Sequence, residues 1–265
     1  VSLPCKIHFP ANTGQRYYSV HYQYVLNMLR AAGCDVEIMT LPSPDDLSLI
    51  VDMDGRKLVF DYADHSGIRL DMPHFKFHCR EMGTPAIPFA PVSFHDWHVY
   101  EEMLCTMNYR AEGEVILNNQ NSRDNVLVRR THVQAMLLER YGGSVDTEIT
   151  DQPTWWRKLG QCLVYVHVPG WCNNMLDRGQ LQAMAFGVCT ISPYLPEYLP
   201  GWRRIEAGVH YVQCRDDYSD LIETIEYCKE DRSHCRMIGN NAARLFRECC
   251  TPQRLRDWIE ESVSQ

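Results

Sequence analysis

Positive charge is in short supply in this 265-residue chain: 26 Lys and Arg stand against 34 Asp and Glu, a net charge of −8. A protein that grips nucleic acid mainly through phosphates carries the opposite balance, so tight non-specific nucleic-acid binding is not expected. Long apolar runs are missing too. None approaches the roughly 18 residues that a membrane-spanning helix needs, and no charged-then-apolar leader opens the chain. The sequence has no GxGxxG, no GxSxG and no HExxH. Their absence argues against a dinucleotide fingerprint, a serine-hydrolase elbow and a zinc-protease helix.

Cysteine is abundant, at 12 residues, but CxxC pairs and Asn-x-Ser/Thr acceptor sites are lacking. The cysteines are scattered from Cys5 to Cys250, many within apolar patterns where the thiol acts as a small hydrophobe. That distribution points to free buried thiols in a reducing cytoplasm rather than to a disulfide framework. With 45% hydrophobic and 23% charged residues, the composition is that of a globular protein with an ample core.

Periodicity supplies the organisation. Cys5–Phe9 reads as a strand, and a helix follows with Tyr22, Val25, Leu26, Leu29 and Ala32 on one face. Gly33 stops that helix, and Val36–Met39 is the next strand. This β–loop–α–β opening is the first unit of a doubly wound sheet. Leu58–Phe60 is a further strand with Asp61 at its carboxyl end, before the three prolines of Pro85–Pro91 interrupt the pattern. Tyr100–Met107 reads as a short helix or connector, and the pattern then restarts. Glu114–Leu117, Val145–Ile149 and Gln161–Val168 read as strands, with a helix over Asn125–Tyr141. Leu176–Ile191 is a short helix that ends at a glycine and runs into a strand. Gly208–Ile225 is a strand, an acidic turn and a helix, and helices over Ser233–Phe246 and Pro252–Ser262 close the chain. The fold class expected is α/β, with two Rossmann-like domains of parallel strands facing across a cleft. Residues 1–108 form the first and 109–265 the second, the last helix being free to pack back on the first.

Several patches carry chemistry. Asp61, Asp64 and His65 follow directly on a buried strand, which aims them at the mouth of a ligand crevice. A carboxylate or imidazole placed there suits general-base work, and two aspartates suit Asx turns equally well. In the second half, the polar run Asn118–Arg123 and then Arg129 and Arg130 lie after a strand and at a helix start. Backbone N–H groups and arginine forks at such a place favour a diphosphate. Adjacent helical residues diverge, so one of the two arginines at most is expected to reach a ligand. Asp177 and Arg178 open the next helix, where only the aspartate complements the helix dipole. The spacings His74-x3-His78 and His95-x2-His98 lack the companions of a metal site, and no bound metal is expected.

The segment from Asp177 to Trp258 resembles the nucleotide-binding half of GT-B glycosyltransferases. Arg178, Gly208-Val209-His210-Tyr211 and Ser219-Asp220-Leu221 are similar to the CAP10-like and exostosin-like branches. Where many such enzymes hold the donor ribose with an acidic residue, this chain has Gln182 in Gln182-Ala183-Met184-Ala185-Phe186-Gly187. The resemblance implies transfer of a sugar from a UDP- or GDP-sugar, a co-substrate rather than a cofactor, to an acceptor hydroxyl, without a metal. It implies donor and phosphate contacts at Arg178, Arg129 or Arg130, Asp177, Gln182 and the Gly14 loop. Asp64 or His65 is then the acceptor base, with Asp61 beside them. The acceptor, the oligomeric state and the stereochemical outcome stay open. So do three other readings: a non-catalytic sugar-nucleotide or protein-binding module, a viral DNA-base glycosyltransferase, and a sugar-nucleotide epimerase.

Overall fold

A computed structural model describes residues 3–10, 16–43, 48–53, 55–61, 72–76, 86–88, 97–106, 109, 111–118, 127–169, 176–196 and 198–264. The chain divides into two compact units. The first comprises Val1–His98, Glu197–Arg204 and Glu248–Gln265; the second comprises Val99–Pro196 and Ile205–Arg247.

In the first unit, β1 (Leu3–Pro10) alternates exposed Pro4 and Lys6 with buried Cys5 and Ile7, the period of a strand with one face in the core. Helix α1 (Arg16–Ala31) buries Val25, Leu26, Met28 and Leu29. Gly33 follows it at φ +79°, a left-handed position that favours glycine after a helix. Strands β2 (Cys34–Ser43), β3 (Ser48–Met53), β4 (Arg56–Asp61), β5 (His74–Lys76) and β6 (Ala86–Pro88) complete a sheet of order β2-β1-β3-β4-β5-β6.

This sheet is mixed, not parallel as expected, because β3 runs antiparallel to both β1 and β4. The cause is a tight hairpin: Met53 pairs with Arg56, and Gly55 turns at φ +81° with its N–H donating to Asp52 Oδ1 at 2.9 Å. A two-residue Asp-Gly connection returns the chain antiparallel to itself, whereas a parallel return needs a crossover. Leu58, Val59, Phe60 and Asp61 of β4 are all buried, as suits a strand covered on both faces. Phe60 stacks on Phe75 of β5 with ring centroids 4.8 Å apart.

The second unit begins within α2 (Trp97–Thr106) and runs through β7 (Ile116–Leu117), α3 (Leu127–Tyr141), β8 (Val145–Asp146), α4 (Gln152–Gln161) and β9 (Val164–Val166). Next come α5 (Arg178–Ala185) and β10 (Thr190–Ser192). The short hairpin β11 (Tyr198–Leu199) and β12 (Arg203–Arg204) belongs to the first unit. Then follow β13 (Val212–Gln213), α6 (Leu221–Glu230) and α7 (Arg232–Cys249), and α8 (Pro252–Ser264) closes the chain in the first unit. The sheet here is parallel throughout, in the order β13-β10-β9-β7-β8. Val164, Tyr165 and Val166 are all buried at its centre. The strand read over Gln161–Val168 is therefore shorter than expected, because Gln161 still belongs to α4. Among the described residues, no helix is long and apolar enough to cross a membrane.

Candidate functional site

In chain order, the strands of the second sheet stand second, first, third, fourth, fifth. The order reverses between β7 and β9, and a doubly wound sheet opens its ligand crevice at the carboxyl ends of such a pair. Asn118, just past β7, ties this edge together. Its backbone N–H donates to Asp146 O at 2.9 Å and its side-chain amide to Val166 O at 3.0 Å. The loops that lead from β7 and β9 to the next helices end at α3 and α5, whose first residues carry the charged groups.

His167, immediately after β9, is fully buried. Its Nδ1 lies 3.0 Å from Ser192 Oγ and its Nε2 3.0 Å from Asp177 Oδ2. The second contact is a close approach that does not form an aligned hydrogen bond. A Ser–His–Asp sequence of this kind suggests acyl transfer at first sight. However, Ser192 and His167 are both 0% exposed, so a substrate carbonyl has no route to the hydroxyl. What the chain does is fix Asp177. Tyr218 adds to the support by donating its OH to His167 O at 3.1 Å.

Asp177 caps α5, accepting from Gln180 N at 3.1 Å through Oδ1. Arg130 Nη2 approaches its other oxygen at 3.7 Å. Burial pushes the Asp177 carboxyl up, but His167, Arg130 and the Gln180 N–H together outweigh it and hold the pKa at about 2. Its ordinary value is 3.8, so the ionised carboxylate stabilises the fold by about 2 kcal/mol. That contribution is complete above about pH 4 and is lost as the pH falls toward 2. Acid unfolding of Asp177→Asn should therefore show a shallower loss over this interval than the parent, by about that amount. Equal slopes would mean that the carboxylate is not held by its neighbours.

The two arginines were expected to diverge, yet both turn to one segment. Arg130 donates from Nε and Nη2 to Val168 O at 3.2 and 3.1 Å, and Arg129 reaches Pro169 O at 3.5 Å. Their long stems let the guanidinium heads converge although the Cα–Cβ bonds point apart. Arg129 also sits over the Tyr218 ring, 5.8 Å from its centroid. Arg178 is the first residue of α5 and is half-buried. A Cβ on the next residue, Gly179, would lie 2.7 Å from Tyr165 Oη, so glycine there lets the β9 tyrosine close on the helix start.

Gln180 carried no signal in the sequence, where it is one of three polar side chains in the short helix that begins at Arg178. It is 0% exposed, and neither its Oε1 nor its Nε2 has a hydrogen-bond partner among the described residues. A buried amide left unpaired costs about 1–3 kcal/mol, which marks the position as one that gains from a ligand's polar groups. Gln182 is placed differently. It is buried, and its Oε1 accepts from Trp155 Nε1 at 2.7 Å. Trp155 in turn meets Tyr165 edge-on, at 5.4 Å between centroids.

Of the expected site residues, the structure brings Arg129, Arg130, Asp177 and Arg178 to one region of the second unit. Gln182 lies further along α5, in its contact with Trp155. Asp61 lies in the first unit, where it is buried and its Oδ2 is 3.1 Å from His74 Nε2. Gly14, Asp64 and His65 lie outside the described residues.

No protein-family model matches the chain. It is 29% identical over 76 residues to uncharacterized protein 035R of Invertebrate iridescent virus 3, a match covering 27% of this chain and 7% of that protein. Uncharacterized protein 179R of Invertebrate iridescent virus 6 is 25% identical over 84 residues, 29% of this chain and 7% of the relative. The matched stretch thus spans under a tenth of either viral protein. Among solved structures, Anabaena Alr3699/HepE, crystallised with UDP and glucose, matches at a TM-score of 0.42 and 16% identity. The match covers 67% of this chain and 47% of that one.

Proposed function

We propose that the chain is a glycosyltransferase of the GT-B type that takes its sugar from a nucleoside diphosphate, UDP or GDP, at the carboxyl edge of β7, β9 and β10. One observation carries this reading. At the point where the strand order reverses, a capped helix start, two converging arginines and the unpartnered buried amide of Gln180 occur together.

In the proposed reaction, an acceptor oxygen bonds to the anomeric carbon as the bond from that carbon to the diphosphate breaks. The acceptor proton passes to Asp64 or His65, and the diphosphate leaves with added negative charge. Arg178 and Arg129 are the groups assigned to meet that charge. Arg130 holds two close contacts to Val168 O and faces Asp177, so its part is to position the capped helix start. Transfer at this site needs no metal in this scheme, since the arginines and the helix start neutralise the leaving group. The working compartment proposed is the cytoplasm.

The test is a thermal-shift series with UDP, GDP, ADP, CDP and their sugar conjugates. A ligand at 100 times its Kd adds about 2.7 kcal/mol of stability. Stabilisation by one nucleotide family, lost in Arg178→Ala and weakened in Arg129→Ala, is the expected outcome. If no nucleotide shifts the transition, the donor site is wrong. A second reading, binding without transfer, draws on one observation: Gln182, at the ribose position, is buried and already serves Trp155. Stabilisation without sugar transfer or donor hydrolysis would favour that reading.

A further inference from the structure

Three cysteines from three separate elements meet in the second unit. Cys189 immediately precedes β10, Cys228 is in the last turn of α6, and Cys235 is in the first turn of α7. Their sulfurs all lie within 4.8 Å of one another, and all three residues are 0% exposed. None forms a disulfide. The turn that carries two of them is held by Asp231, whose Oδ1 accepts from Ser233 Oγ at 2.7 Å and His234 N at 2.9 Å.

We infer that these three thiols form a buried site for one soft monovalent metal ion of the copper(I) class. Bonds of about 2.3 Å to three sulfurs in a plane place the sulfurs roughly 4 Å apart, so the trio needs to contract by less than about 1 Å. Thiolate sulfur alone selects soft ions, and no carboxylate or imidazole joins the three thiols among the described residues, the nearest oxygen being the Cys228 carbonyl, which accepts from Cys235 Sγ at 3.4 Å. Structural zinc almost always takes four ligands, which this group does not offer. Binding forms sulfur–metal bonds, and each thiol that ionises releases its proton to solvent. No electron is transferred.

A monovalent cation bound with the loss of one thiol proton leaves no net charge in the buried site, which keeps the desolvation cost of filling it small.

The test adds copper(I), supplied anaerobically as its acetonitrile complex, to the reduced full chain while following thermal unfolding. One equivalent bound to the native trio should raise Tm by more than about 4 °C. Copper held by thiols that only unfolding exposes would lower Tm instead, since it stabilises the unfolded chain. X-ray absorption at one equivalent should report three sulfur neighbours. Cys228→Ala and Cys235→Ala should lose the Tm rise, and Cys105→Ala, which removes an exposed thiol, should keep it. An unchanged or lowered Tm in the parent overturns the site even if the trio variants fail to fold. So does loss of the effect in Cys105→Ala.

Discussion

Gly239→Ala is expected to lower the unfolding free energy by about 3 kcal/mol, although alanine is the better helix former. Gly239 is in the middle of α7, where alanine would ordinarily gain about 1 kcal/mol. Here a Cβ would run into the backbone of Gly187: it would overlap Gly187 O and lie 2.7 Å from Gly187 C. The obstacle is main chain in a left-handed turn, since Gly187 has φ +70°, and no rotamer change relieves it. Gly187 lies at the junction of α5 and β10, so displacing α7 disturbs the helix that Asp177 caps and the strand after Cys189. Urea unfolding measures the loss directly. Gly143→Ala is the control, because nothing lies within 4 Å of its Cβ and it should stay within about 0.5 kcal/mol of the parent. If Gly239→Ala matches that control, α7 does not approach the Gly187 turn this closely.

How far the fold could be read depended on whether local pattern or long-range pairing decided each element. Helix α1 and its Gly33 stop, the α5–Gly187–β10 run and the closing helices carry their own punctuation, and the structure has each near its expected place. Helix α4 is not among the expected elements although it too is punctuated: Asp151 caps it by accepting from Thr154 N at 2.8 Å, with Pro153 in its first turn. Its apolar residues run on directly into the apolar strand that follows, which hides the helix in the pattern. Strand β3 is likewise absent from the expected elements. The Asp54-Gly55 dipeptide between apolar runs is a hairpin signal, and overlooking it turned a mixed sheet into an expected parallel one. At the site, charged residues at helix starts were legible because strand–helix order alone places them at the carboxyl edge. His167, Gln180 and the three clustered thiols were not. Their significance depends on contacts between separate elements, as with His167 and Ser192 across 25 positions, and no local spacing encodes those contacts.

His74→Ala should cost about 3 kcal/mol. His74 opens β5 and Asp61 ends the neighbouring β4, and the parallel register pairs Val59 with His74 and Asp61 with Lys76. That register brings the imidazole Nε2 to 3.1 Å from Asp61 Oδ2, with the side chains 2% and 0% exposed. Removing the imidazole takes from a carboxylate in the sheet interior one of the contacts that offset its desolvation, a penalty added to the packing lost. Asp61→Asn should cost less, because an amide keeps its size and carries no charge to strand. Asp61→Ala combined with His74→Ala should destabilise by clearly less than the sum of the two single changes, as coupled partners do. The cycle also assigns Asp61 its part. If the pair is structural, the coupling appears in stability, and nucleotide-induced stabilisation survives in whatever fraction stays folded. If Asp61 serves the chemistry instead, Asp61→Asn would abolish transfer while leaving the unfolding curve close to the parent's. Full burial of the carboxylate and its imidazole partner in the strand register point to the first outcome.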